Sequence, residues 1–103
     1  KVGRYLVLEN GARCVIARNE EENAKLATPN PQMEQITLLD CVGPLGIVES
    51  NASAEVKILA GRIALSYART ESHKFYQVKI GSVVHTLTPL EREKAQGYLL
   101  LNA

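Results

Sequence analysis

Ser53-Ala54-Glu55-Val56-Lys57-Ile58-Leu59-Ala60-Gly61-Arg62-Ile63-Ala64-Leu65-Ser66-Tyr67-Ala68-Arg69 is the longest regularly patterned stretch of the chain. Within it Val56, Leu59, Ala60, Ile63, Ala64 and Tyr67 recur at the spacing of one α-helical face. Ser53 reads as the N-cap, with Glu55 in the first turn and Arg69 in the last, each at the helix end that its charge favours. A helix with a single apolar face needs a sheet to lie on, and the flanking sequence supplies one.

Residues 4–9 and 12–17 are apolar runs of strand length separated at Asn10-Gly11, a dipeptide that accepts positive φ at both central positions of a hairpin. The second run leads into Ala17-Arg18-Asn19-Glu20-Glu21-Glu22-Asn23, read as a strand-to-helix corner. There Asn19 caps a short helix and Glu22, three residues on, reaches back to the cap's own N–H. Thr28-Pro29 and Asn30-Pro31 end that helix, because proline offers no N–H and pushes its predecessor toward extended backbone. Residues 35–42 and 45–49 read as two short strands around Gly43-Pro44, and residues 74–80 alternate as a half-buried strand that Gly81-Ser82 turns back into residues 83–87. Thr88 as cap and Pro89 in the first turn predict a terminal helix from Leu90, stopped by Gly97, with residues 98–101 as a last strand or apolar tail. The expected order is ββ-α-ββ-α-ββ-α-β. That is an α+β two-layer sandwich: a mostly antiparallel sheet covered by one long helix plus one or two short helices.

The 103 residues, 46% of them hydrophobic, make one domain with one core, residues 1–103. The chain opens on Lys1 rather than Met and carries no leader pattern, which reads as the C-terminal fragment of a longer cytoplasmic protein. Twelve basic residues against eleven acidic ones leave a formal charge of +1, so no global field draws the chain to polyphosphate or an anionic membrane. Any nucleic-acid contact must come from a local patch. Cys14 and Cys41 sit in apolar runs far from any second ligand and read as small buried hydrophobes in a reducing compartment. His73 and His85 have no carboxylate or cysteine at ligand spacing, so neither a metal site nor a cofactor is expected. No nucleophile and base pair up, and Gly43-Pro44-Leu45-Gly46 lacks the Lys-Ser/Thr end of a phosphate loop. The residues alone are not expected to be catalytic.

Two clusters bear on binding. At the corner, Arg18 and the helix start suit a phosphate, provided that the carboxylates of Glu20, Glu21 and Glu22 point away; the alternative is a capping box followed by a solvated face. On the long helix Arg62, Ser66 and Arg69 share a polar face, which either spans phosphates or is ordinary solvated surface. Lys74 and Lys79 extend this basic character into the next strand, and Arg4 and Arg13 are placed to face each other across the first hairpin.

The corner also resembles a known family. Arg18-Asn19-Glu20-Glu21-Glu22-Asn23 is similar to the Gly-Arg-Asn-x-x-x-Asn corner of the NFACT RNA-binding domain, with Ala17 in place of the glycine and Arg18, Asn19 and Asn23 matching. Gly43-Pro44 and the helix ending in Tyr67-Ala68-Arg69 resemble the family's later motifs, whereas its Trp-x-His segment has no counterpart in residues 36–42. The resemblance implies an RNA-binding accessory module, for tRNA in the variant appended to PP-loop proteins related to tRNA-thiolating enzymes. Its partners would be RNA and a catalytic domain of the same parent chain. The implied phosphate contacts are Arg18, Asn19 and Asn23 at the corner, with Arg62, Arg69 and Lys74 from the basic face. The rival reading is a structural or interaction domain without an RNA role, docking on its parent enzyme or forming a homodimer through an exposed sheet edge or the apolar tail Tyr98-Leu99-Leu100-Leu101.

Overall fold

The first hairpin forms where its turn chemistry allows. Strands β1 (Arg4–Val7) and β2 (Arg13–Ile16) are joined by a 3-10 turn over Glu9–Gly11, in which Asn10 has φ 61° and Gly11 φ 78°. These left-handed values favour Asn and Gly over other residues. The computed structural model describes residues 2–100. Beyond the hairpin it contains α1 (Glu20–Leu26), β3 (Met33–Leu38), β4 (Gly46–Glu49), α2 (Ala54–Ser66), β5 (Tyr76–Ile80), β6 (Val83–Leu87) and α3 (Arg92–Gln96). The strands form one antiparallel sheet in the order β1-β2-β4-β3-β5-β6. The α+β sandwich expected from the pattern is the fold.

The register decides which side chains enter the core. Leu6, Cys14, Ile16, Val48, Ile36, Val78 and Ile80 lie on one face of the sheet, against Val56, Ala60, Ile63, Ala64 and Leu65 of α2 and Ala95 of α3. Burying each large aliphatic side chain there contributes about 1.5–3 kcal/mol. Their alternates Val15 and Ile47 point to the other side, where Leu26 of α1 closes a smaller cluster with Ala17, Tyr5 and Leu45. One short helix therefore covers the reverse face at the β2–β4 end, and its C-terminus is bonded to β3 at Gln35. Cys14 is fully buried, and burial pushes its thiol up to about 12.

Several expected boundaries move. Helix α2 stops at Ser66: the Arg69 N–H donates to the Val42 carbonyl (2.8 Å), so Arg69 leaves the helical face that was expected to pair it with Arg62. The terminal helix starts at Arg92, with Glu91 rather than Thr88 in the cap position. The Leu90 N–H is taken by the Arg62 carbonyl (3.1 Å) and the Thr88 carbonyl by Arg62 Nε (3.0 Å), which straps residues 88–90 to α2. Arg4 pairs with Ile16 and Arg13 with Val7, so these arginines stand at opposite ends of the hairpin instead of facing one another. The tail lies along β1: Val7 N–H donates to the Tyr98 carbonyl and Leu100 N–H to the Tyr5 carbonyl. Tyr98 and Leu99 pack on the chain's own core and Leu100 is half-exposed. Leu101, the last residue of the expected apolar tail, lies outside the described residues.

Candidate nucleic-acid interface

Four separate segments meet beside the N-terminal end of α1. Arg4 comes from β1; Arg18, Asn19 and Asn23 from the β2–α1 corner; Val42, Gly43 and Pro44 from the β3–β4 connection; Tyr67 and Arg69 from the residues that follow α2. Together they line a depression of about 220 Å³. Hydrogen bonds to backbone N–H groups hold it in shape. Asn23 Oδ1 accepts from the Leu45 N–H (3.0 Å), Arg69 N–H is fixed to Val42, and Asn19 Oδ1 caps α1 by accepting from the Glu22 N–H (2.9 Å).

The charges are not distributed as the corner sequence suggested. Glu22 does not reach the Asn19 N–H, nor does its carboxylate point away. It turns inward and accepts from the Arg18 N–H (2.8 Å), Arg18 Nε (3.1 Å) and Arg18 Nη2 (2.6 Å). These bonds, with a further one from the Gly3 N–H, hold the Glu22 carboxyl well below the usual range, at about 2. A two-point guanidinium clamp has stronger geometry than the single bond of a capping box. Glu20 lines the depression as well. The helix end is thus internally occupied, and the anion-attracting groups are guanidiniums.

Tyr67 organises two of them. The guanidinium carbons of Arg4 and Arg92 lie 4.2 and 4.5 Å from its ring centroid, within the range of cation–π attraction. Arg4 Nη1 also donates to the Ala17 carbonyl at 2.7 Å. Burial lowers the Arg4 pKa from its usual value, and the positive charges of Arg92 and Arg18 lower it further, partly offset by Tyr67 and Glu22. The Tyr67 hydroxyl is buried with no hydrogen-bond partner among the described residues.

Of the residues singled out from sequence, Arg18, Asn19, Asn23 and Arg69 converge here. Arg62 and Lys74 do not: Arg62 is engaged with Thr88, and Lys74 pairs with Glu71 at 2.7 Å. Arg4, Arg92 and Tyr67 were missed as members of this cluster. The available signal was an aromatic residue at the end of the long helix in a chain with arginines near both ends.

Residues 3–99 match the sequence profile of the NFACT protein RNA binding domain. The chain belongs to the NFACT RNA-binding family. The fold agrees: the C-terminal part of the fibronectin/fibrinogen-binding protein from Streptococcus suis superposes with a TM-score of 0.79 at 16% identity, over 97% of this chain. That match spans 50% of the solved chain, so the NFACT RNA-binding domain described here corresponds to about half of it. No curated protein matches the sequence. As a member of this family the chain is an RNA-binding module, and no helix among its described residues is long and apolar enough to cross a membrane.

Proposed function

We propose that the NFACT RNA-binding domain holds backbone phosphates of tRNA in the depression lined by Arg4, Arg18 and Arg69, and presents the tRNA to a catalytic domain elsewhere in a longer cytoplasmic protein of the thiolation type. The observation that carries this reading is the convergence of arginines from β1, the β2–α1 corner and the end of α2 on one depression, with Arg92 beside Tyr67. Asn19 and Asn23 shape the corner through their own hydrogen bonds, and Arg62 and Lys74 stand outside the contact. Contacts of this kind set position and leave base identity unread. The corner motif places the chain with the NFACT RNA-binding family, a variant of which occurs on PP-loop proteins related to tRNA-thiolating enzymes, and this favours tRNA as the RNA.

The test is tRNA titration by fluorescence anisotropy over a salt series. Arg69→Ala is expected to weaken binding and to flatten the plot of log affinity against log salt by about 0.7–0.9 for each phosphate no longer neutralised, and Arg18→Ala to weaken binding by leaving the Glu22 carboxylate unpaired at the corner. Lys74→Ala, whose ammonium already pairs with Glu71, serves as the comparison and leaves the slope in place. Unchanged affinity and slope in both arginine variants defeat the reading. The same preparations decide the dimerisation rival by light scattering, where a concentration-independent monomer removes it.

A further inference from the structure

The sheet has a face that nothing in the described chain covers. Along β3, β5 and β6 the pairs Ile36↔Ile80 and Leu38↔Val78 point to α2, so the intervening set Thr37↔Lys79↔Val84 and the pair Gln77↔Thr86 point to the other side. Leu39 continues that side, its N–H donating to the Gln77 carbonyl (3.0 Å). Immediately before β5 stands Phe75, the chain's one phenylalanine, which is 68% exposed. α1 shields the β2–β4 end and reaches β3 at Gln35, whose Nε2 donates to the Ala27 carbonyl (2.9 Å).

Two features favour one kind of occupant. First, the surface is continuous with the arginine depression: a shallow groove of about 400 Å³ shares Glu20, Asn23, Gly43 and Pro44 with it and runs beneath α1 to Thr37 and Leu38. Second, its composition is mixed. Lys79 is exposed and makes no ion pair among the described residues. Gln77 and Thr86 hold one another at 3.0 Å, and the apolar groups Phe75, Leu39 and Val84 stand among these polar ones. A protein interface core is depleted of such charge. A strand of unpaired nucleotides needs this combination: a cation for phosphate, an aromatic or aliphatic plate for a base, and amide and hydroxyl groups for base edges.

We infer that the uncovered face of β3, β5 and β6 receives an unpaired RNA segment continuing from the phosphate held at the arginines, with a base stacked on Phe75 and a phosphate at Lys79. This inference rests on the RNA reading above and adds single-strandedness to it. The experiment compares a short RNA hairpin that ends blunt with the same hairpin carrying an unpaired extension of a few uridines. The extended RNA is expected to bind the native domain more tightly. Phe75→Ala lowers its affinity by about five- to tenfold, the low end of base–aromatic stacking, and leaves the blunt hairpin unaffected. Lys79→Gln lowers the salt slope for the extended RNA alone. Arg69→Ala weakens both RNAs. Equal binding of the two hairpins, or a Phe75→Ala effect equal on both, overturns the inference while the arginine contact stands. An Arg69→Ala variant without effect on either RNA overturns the underlying reading instead.

Discussion

Gly43→Ala tests whether the depression depends on close approach between its floor and the residues after α2. A Cβ at position 43 would lie 2.4 Å from Ala68 Cβ, 2.7 Å from Leu38 Cδ1 and 3.0 Å from Ala68 Cα. The Leu38 methyl can rotate away, but Ala68 has no side-chain torsion to relieve the clash and its Cα moves only with the backbone. That backbone leads directly into Arg69, which is bonded to Val42 at 2.8 Å. Overpacking of this kind costs about 1–3 kcal/mol. For a domain of this size each kcal/mol lowers the melting temperature by about 4–8 °C. Thermal and urea unfolding would measure the destabilisation, and Ala68→Gly in the Gly43→Ala background should recover part of it, because the clash with the Ala68 Cβ is relieved while the 3.0 Å approach to the Cα at position 68 stays. The double-mutant cycle should therefore be non-additive with a rescuing sign. Native-like melting of Gly43→Ala, or strict additivity of the pair, refutes the packing argument.

Glu22→Gln should change the acid limb of stability: with its folded pKa depressed to about 2, Glu22 adds stability above the unfolded value near 4.3, which disappears as pH falls between the two. Urea midpoints between these pH values should fall less steeply in the variant, and identical slopes would count against the Arg18–Glu22 clamp. Asn19→Ala removes the Oδ1 that accepts from Glu22 N–H and should cost about 1 kcal/mol. Amide exchange in the first turn of α1 should then quicken, and unaltered protection there would show that the cap contributes little.

What could be read before folding was local. Asn10-Gly11 announced its hairpin because the required positive φ is a property of those residues themselves. Ser53 and the apolar spacing announced α2, yet Gly61 and Leu65 are buried too, because sheet and α3 together embrace more of the helix than one stripe. The start of α3 was misplaced for a long-range reason: Pro89 suits a first helical turn, but the Leu90 N–H has a partner on α2 that no local pattern reveals. The site divides in the same way. Asn19 as a cap was visible from its neighbours, and Arg18 from the family corner. That Arg4 and Arg69 join them depends on where β1 and the end of α2 fall in space, and Arg62 was separated from Arg69 by the termination of one helix.

The arginine cluster is hard to explain by stability. Arg4 sheds hydration on burial, and Arg92 and Arg18 add repulsion, the combination that pulls its pKa down. In return it gains one carbonyl bond and a share of the Tyr67 ring, a cation–π interaction of about 0.5–1 kcal/mol at an exposed site and more when desolvated. A domain selected only to fold has no need to assemble like charges over one tyrosine ring whose buried hydroxyl lacks a partner among the described residues. Perturbed ionisation gathered at a depression is found at binding sites as well as in structural ion pairs, and it agrees with the phosphate contact proposed above. In the contact proposed above, a bound phosphate would offset the mutual repulsion of these guanidiniums, and that relief would add to the affinity. Glu22 fits the same logic. By neutralising Arg18 on its inner side it lets that arginine be held at the corner, while Arg4, Arg69 and Arg92 retain the positive excess.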